Sequence, residues 1–179
     1  MQMQNISKHQ ILEKRYNSAR VNILLVTVIT AVNIFLLVTN TNSYFLFSAY
    51  VPYGLIDFGM FYCGLYPQEY YGEEFAMMEF LDVSVFAVFA SITAIILVLY
   101  LLSWIFSKKN RVGWMIFALA FFVVDTVIMF MFFGADLSNL VDMAFHAWVI
   151  ISLVLGIVSS FKLRKLGEEN LVPETEEGG

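Results

Sequence analysis

Four long apolar runs separated by polar breaks organise the chain, at about 21–38, 80–106, 112–133 and 140–161. At a rise of about 1.5 Å per residue, each comes close to or exceeds a hydrocarbon core roughly 30 Å thick. Lipid offers the backbone no hydrogen-bond partner, so each run is predicted to be an α-helix. The breaks at 107–114 and 134–139 are short, and short connections make successive helices antiparallel. The predicted fold is therefore an all-α integral membrane protein, an antiparallel up-down four-helix bundle.

A fifth apolar stretch, 44–66, matches a span in length but not in pattern. Pro52, Gly54, Gly59 and Gly64 interrupt it, and it carries Asp57. Its rings, Tyr44, Phe45, Phe47, Tyr50, Tyr53, Phe58, Phe61, Tyr62 and Tyr66, suit the boundary between water and lipid. It is predicted to belong to an extracytoplasmic loop, 39–75, that lies on or dips into the outer leaflet.

Charge sets the orientation. All ten basic residues fall in three clusters: Lys8, Lys14, Arg15 and Arg20; Lys108, Lys109 and Arg111; Lys162, Arg164 and Lys165. With four spans every cluster faces the cytoplasm, as positive-inside bias requires, and so do both termini. A fifth crossing would move the middle cluster to the other side. The pattern fits a cell (cytoplasmic) membrane. Residues 1–19 are then a basic juxtamembrane segment, in which Ser7 and Gln10 have capping-box spacing for a short interfacial helix. The first run has no small-residue cleavage site after it and is predicted to remain as a signal anchor. Residues 162–179 form a tail that is basic and then acidic. Its last part, from Gly167, holds five glutamates and no aromatic, the composition of a disordered segment.

Composition narrows function. The chain is 60% hydrophobic and 14% charged over 179 residues, which leaves no room for a separate soluble catalytic domain beside four spans. The single Cys63 forms no internal disulfide and reads as a packed residue or a free thiol. Phosphate-cradling glycine motifs, HExxH and GxSxG are missing from the sequence. The basic clusters read as topology signals touching membrane lipid, not as a nucleic-acid surface.

The candidate chemistry lies in polar residues within the spans. An ionisable group there costs roughly 2.5–3.5 kcal/mol on insertion scales, so each needs a reason. Glu79 and Asp82 are placed at the start of the second span, on one face at i,i+3 spacing. Asp125 lies in the third, about 12 Å below its outer end. Asp142 and His146 share a face of the fourth at i,i+4 spacing, and Asn33 and Asn22 lie in the first. All but Asn22 fall in the outer half. Nine acidic residues lie between Asp57 and Asp142, the only bases in that interval being the middle cluster. Asp125, Asp142 and His146, with Asp82 and Glu79 at an entrance, are therefore predicted to form an outward-facing acidic cavity that binds or transports a cation or cationic solute.

Two other readings compete. Asp125, Asp142 and His146 could be ligands for a divalent metal in an intramembrane hydrolase or lipid-modifying enzyme, although one histidine is few. Alternatively the polar groups are interhelical glue in a membrane partner subunit that assembles into a homo-oligomer or docks another membrane protein. For that assembly, Gly156 with Ser152 and Ser159 offers a small-residue face for close packing, within the protein or against another copy. Met77, Met78, Met129 and Met131 read as packing residues. Glu79 and Asp82 could also lie in water, and the Asp142–His146 pair could complement its helix N-terminus.

Overall fold

The computed structural model describes residues 2–41, 43–45, 47–75, 78–133 and 140–169. Among these the chain is all-helical, with five α-helices and no strand: α1 Gln2–Val38, α2 Tyr50–Tyr62, α3 Val83–Phe106, α4 Val112–Phe133 and α5 Leu140–Glu169. All except α2 are long and apolar enough to cross a membrane. Their outward faces carry Phe35, Ile95, Val124, Met131 and Ile151, each more than half exposed. So extensive an apolar exterior suits hydrocarbon rather than water. Inside, Ile23 and Val26 of α1, Ile96 of α3, Met115 and Phe122 of α4, and Val149 and Leu153 of α5 form one buried cluster.

One end of the bundle gathers the basic residues. There α1 and α5 approach closely because Gly156 has no side chain: a Cβ would collide with the Ala19 Cβ and reach within 2.9 Å of Met115 Sδ. The last carbonyls of α3 lack partners within their own helix. Arg20 supplies one, donating from Nη2 to the Trp104 carbonyl at 3.2 Å and from Nε to Ser107 Oγ at 3.0 Å. The Tyr16 hydroxyl donates to the Ser107 carbonyl. In the turn into α4, Lys109 and Asn110 take left-handed φ values of 55° and 59°. Arg164 Nη2 braces this turn, donating to the Asn110 carbonyl at 3.0 Å.

The opposite, acidic end holds α2. Pro52 looks like a helix breaker in the sequence, but it is the third residue of this helix. An N–H in the first turn has no intrahelical acceptor, so its loss is tolerated there. Gly64 ends α2 with φ +67°, its N–H donating to the Phe61 carbonyl at 3.3 Å while Leu65 N–H reaches Met60 at 2.9 Å. That is the pairing of a Schellman C-cap. Gly59 lets α2 lie against α3, since a Cβ would come within 3.0 Å of the Phe86 ring. Thirteen residues make α2 about 20 Å long, too short to cross.

Several boundaries differ from the sequence reading. The segment 44–66, expected to be loop, contains α2 and packs among the long helices. Helix α3 starts at Val83 rather than 80: Asp82 is its N-cap and accepts from Ser84 N–H at 2.8 Å. Asp82 and Glu79 therefore precede the helix and share no helical face. Helix α1 is continuous from Gln2, so Ser7 and Gln10 lie within it rather than at the start of a separate juxtamembrane helix. Helix α5 runs on to Glu169 and carries Lys162, Arg164 and Lys165, which had been assigned to the tail. The glutamates after 169, Met77 and the 134–139 connection lie outside the described residues.

Candidate functional site

The chain between α1 and α2 is irregular and lies against the bundle, where its amide groups need partners. Side chains on the long helices supply them. Asn33 of α1 grips Phe45 on both sides: its Nδ2 donates to the Phe45 carbonyl at 2.6 Å, and Phe45 N–H donates to its Oδ1 at 2.8 Å. One turn earlier, Thr30 Oγ1 accepts from Ala49 N–H at 2.8 Å and donates to its own helix at Val26. Thr93 of α3 donates to the Pro52 carbonyl at 3.2 Å. Phe47, inside the clasped segment, has φ +80°, a conformation that costs a bulky residue on the order of 1–3 kcal/mol.

Asp125 of α4 completes this clasp. The N-cap position of α2 is Ala49, whose side chain cannot cap. Asp125 does so from another helix: Tyr50 N–H donates to Oδ2 at 3.0 Å and Val51 N–H to Oδ1 at 2.7 Å. A carboxylate bonded to the first amides of a helix also meets the positive end of its dipole. Asp125 is 3% exposed, and both oxygens are engaged. His146 of α5 stands beside it, with Nδ1 3.9 Å from Asp125 Oδ2 and 2.9 Å from Thr126 Oγ1. Its ring stacks on Phe122 at 4.8 Å.

Above this layer the clasp leaves a cavity of about 210 Å³, lined by Tyr44, Ser48, Tyr50, Tyr53, Met129, Asp142 and His146. Its walls are mainly aromatic. The Tyr44 and Tyr53 rings meet edge to face at 5.3 Å, and the Tyr44 hydroxyl bonds Ser48 Oγ at 2.7 Å. Burial raises the pKa of all three tyrosines, with Tyr53 reaching about 12 as nearby Asp57 adds to the effect. The phenols therefore stay neutral near pH 7. Asp142, in the first turn of α5, is the cavity's carboxylate and is half-buried. Phe122, on which His146 stacks, is almost fully buried, as are Val149 and Leu153 of α5.

The predicted site residues thus separate. Asp142 and His146 share the cavity, while Asp125 lies behind His146 and is turned toward α2. Asp82 and Glu79 lie at the far end of α2, where Leu81 N–H bonds the Tyr62 carbonyl at 2.9 Å and Cys63 Sγ approaches the Asp82 carbonyl at 3.5 Å. Neither lines the cavity. Among the described residues no three His, Cys, Asp or Glu side chains gather as metal ligands. Gly156 is directed at α1, and Ser152 accepts from Asn22 Nδ2. Ser159 is 2% exposed, so this small-residue face is used inside the bundle.

Sequence reasoning missed Thr30, Thr93 and Thr126, and assigned Tyr44, Tyr50 and Tyr53 only to the membrane boundary. A threonine in a helix commonly bonds its own i−4 carbonyl, as Thr27 does to Ile23 at 2.8 Å. Its type therefore gives no signal of a tertiary role. The one available signal was the i,i+3 spacing of Thr30 and Asn33, which places both on one face.

No family model, curated protein or solved structure matches this chain.

Proposed function

We propose that this is a small multipass membrane protein of antiparallel spans with both termini cytoplasmic, and that it binds a cationic solute at a cavity facing outward. Asp142 carries the reading. It is a carboxylate at the wall of a cavity, among neutral phenols, and no donor among the described residues meets it. A half-buried carboxylate favours an incoming positive charge. The acidic residues around the same end, Asp57, Glu69, Glu73, Glu79 and Asp82, would raise the local concentration of cations.

Topology is tested by cysteine labelling in whole cells. In a Cys63→Ala background, an impermeant maleimide should label Glu69→Cys from outside and should not label Lys109→Cys. The reverse pattern would overturn the orientation.

A further inference from the structure

We infer that the ligand of this cavity is a compact organic ammonium ion methylated at nitrogen, of about the size of choline. This rests on the cation-site reading above and adds the ligand's chemistry.

Three features of the lining point that way. The first is ligand count. Calcium takes six to eight oxygens, magnesium demands an octahedral set, and zinc binds three or four His, Cys or carboxylate groups. Among the described residues the cavity offers one carboxylate, Asp142; Asp125 has both oxygens bonded to α2 amides, and Asp57 accepts from the Tyr66 hydroxyl. A small inorganic cation would exchange a full hydration shell for far too few donors.

The second feature is the wall. Tyr44, Tyr50, Tyr53 and Met129 line the space with aromatic rings and a polarisable thioether. Such walls attract a large, weakly hydrated cation over a ring face, and quaternary ammonium recognition by aromatic cages uses the same physics. The phenols carry no competing charge, because burial keeps them protonated.

The third feature is that Asp142 is the one charged acceptor among the described lining residues. An –NH3+ group brings three donors. Here one bond joins the Tyr44 hydroxyl to Ser48 Oγ and another joins His146 Nδ1 to Thr126, so the side-chain acceptors left beside Asp142 among the described lining residues are neutral hydroxyl oxygens. Beyond Asp142, the N–H groups of a primary ammonium would meet only neutral side-chain acceptors among the described residues. N-methyl groups ask for none, and they pack against rings. A volume of about 210 Å³ admits tetramethylammonium or choline.

The test is calorimetric titration of the full-length protein in detergent or nanodiscs with tetramethylammonium, choline, methylammonium, potassium and calcium. Tetramethylammonium and choline should bind saturably and compete, at least tenfold tighter than methylammonium, with no saturable potassium or calcium binding. Asp142→Asn should weaken tetramethylammonium at least tenfold. Tyr53→Leu should weaken it about fivefold, while Tyr53→Phe, which keeps the ring face, should leave it within twofold. Comparing methylammonium with tetramethylammonium on the unaltered protein needs no variant, so a misfolded mutant cannot mask the result. Asp142-dependent binding of calcium, potassium or methylammonium in preference to tetramethylammonium would overturn the ligand class and leave the cation site standing. Binding of none of the five, or tetramethylammonium binding unchanged in Asp142→Asn, would overturn both.

Discussion

At the basic end the long helices meet directly: Gly156 lets α1 and α5 touch, Met115 fills the space beside them, and Arg20 and Tyr16 bond the carbonyls that end α3. At the acidic end the same helices are held apart by an inserted segment, and Asn33, Thr30, Thr93 and Asp125 reach inward to bond its backbone. One end is held by close apolar packing and closes on itself. The other holds irregular chain within a bundle suited to lipid, which is tolerated only when every amide finds a partner. The comparison changes how a polar residue in a span is read. Four of them here complete the hydrogen bonds of another part of the backbone, and the cavity is what remains between that backbone and α5.

The largest expected effect comes from breaking the clasp at its charged member. Asp125→Leu leaves the Tyr50 and Val51 amides unpaired, at about 1–3 kcal/mol each, so about 2–6 kcal/mol in all. Thermal unfolding in detergent should show the loss, and Asp125→Asn, which keeps one acceptor, should lose less. Equal stability in Asp125→Leu would mean that α2 does not depend on this cap.

Gly156→Leu attacks the other end. Overpacking a tight site typically costs about 1–3 kcal/mol. The variant should melt earlier while the acidic end keeps its protection at the Phe45, Ala49, Tyr50 and Val51 amides in hydrogen exchange. A variant that exposes both ends equally would show that the two are one cooperative unit.

Thr93→Val should be milder, removing one neutral bond worth about 0.5–1.5 kcal/mol. Its exchange signature should be confined to the start of α2.

Smallest is the exposed cap of α3. The Ser84 hydroxyl and N–H lower the Asp82 pKa below the ordinary carboxylate value. A depressed pKa stabilises the fold above the unfolded Asp value of about 3.9, and the contribution is lost as pH falls through the lower folded value. Protection factors at the first amides of α3, with the intrinsic pH dependence of exchange divided out, should therefore fall in acid, and Asp82→Asn should flatten that dependence. The same acidification should leave the Gly156 contact untouched, which keeps the comparison between the ends clean.

The four long helices were legible because their signal is local. An apolar run of sufficient length admits one satisfied backbone conformation in lipid, so their positions follow from composition along the chain. The ends were less legible. Asp82 sits beside the apolar run, and only a structure distinguishes an N-cap from the first turn of a helix. Helix α2 was obscured by Pro52 and three glycines, which count against a helix on propensity. Here Pro52 occupies the first turn, Gly64 follows the C-cap with a left-handed φ, and Gly59 makes a contact with α3, so these three are placed where their cost is low or offset.

The amino-acid sequence alone determined that the chain has four helices fit to cross a membrane, where they lie, and which polar residues interrupt them. It did not determine what those residues face, because a hydrogen bond between Asp125 and an amide 74 or 75 positions away leaves no periodic trace. Tertiary structure alone decided that Asp125 caps α2, that Asp82 and Glu79 stand apart from the cavity, and that Asp142 joins three tyrosines there. The physical reason is that hydrophobic burial is read from each segment by itself, whereas the satisfaction of a buried polar group depends on its partner.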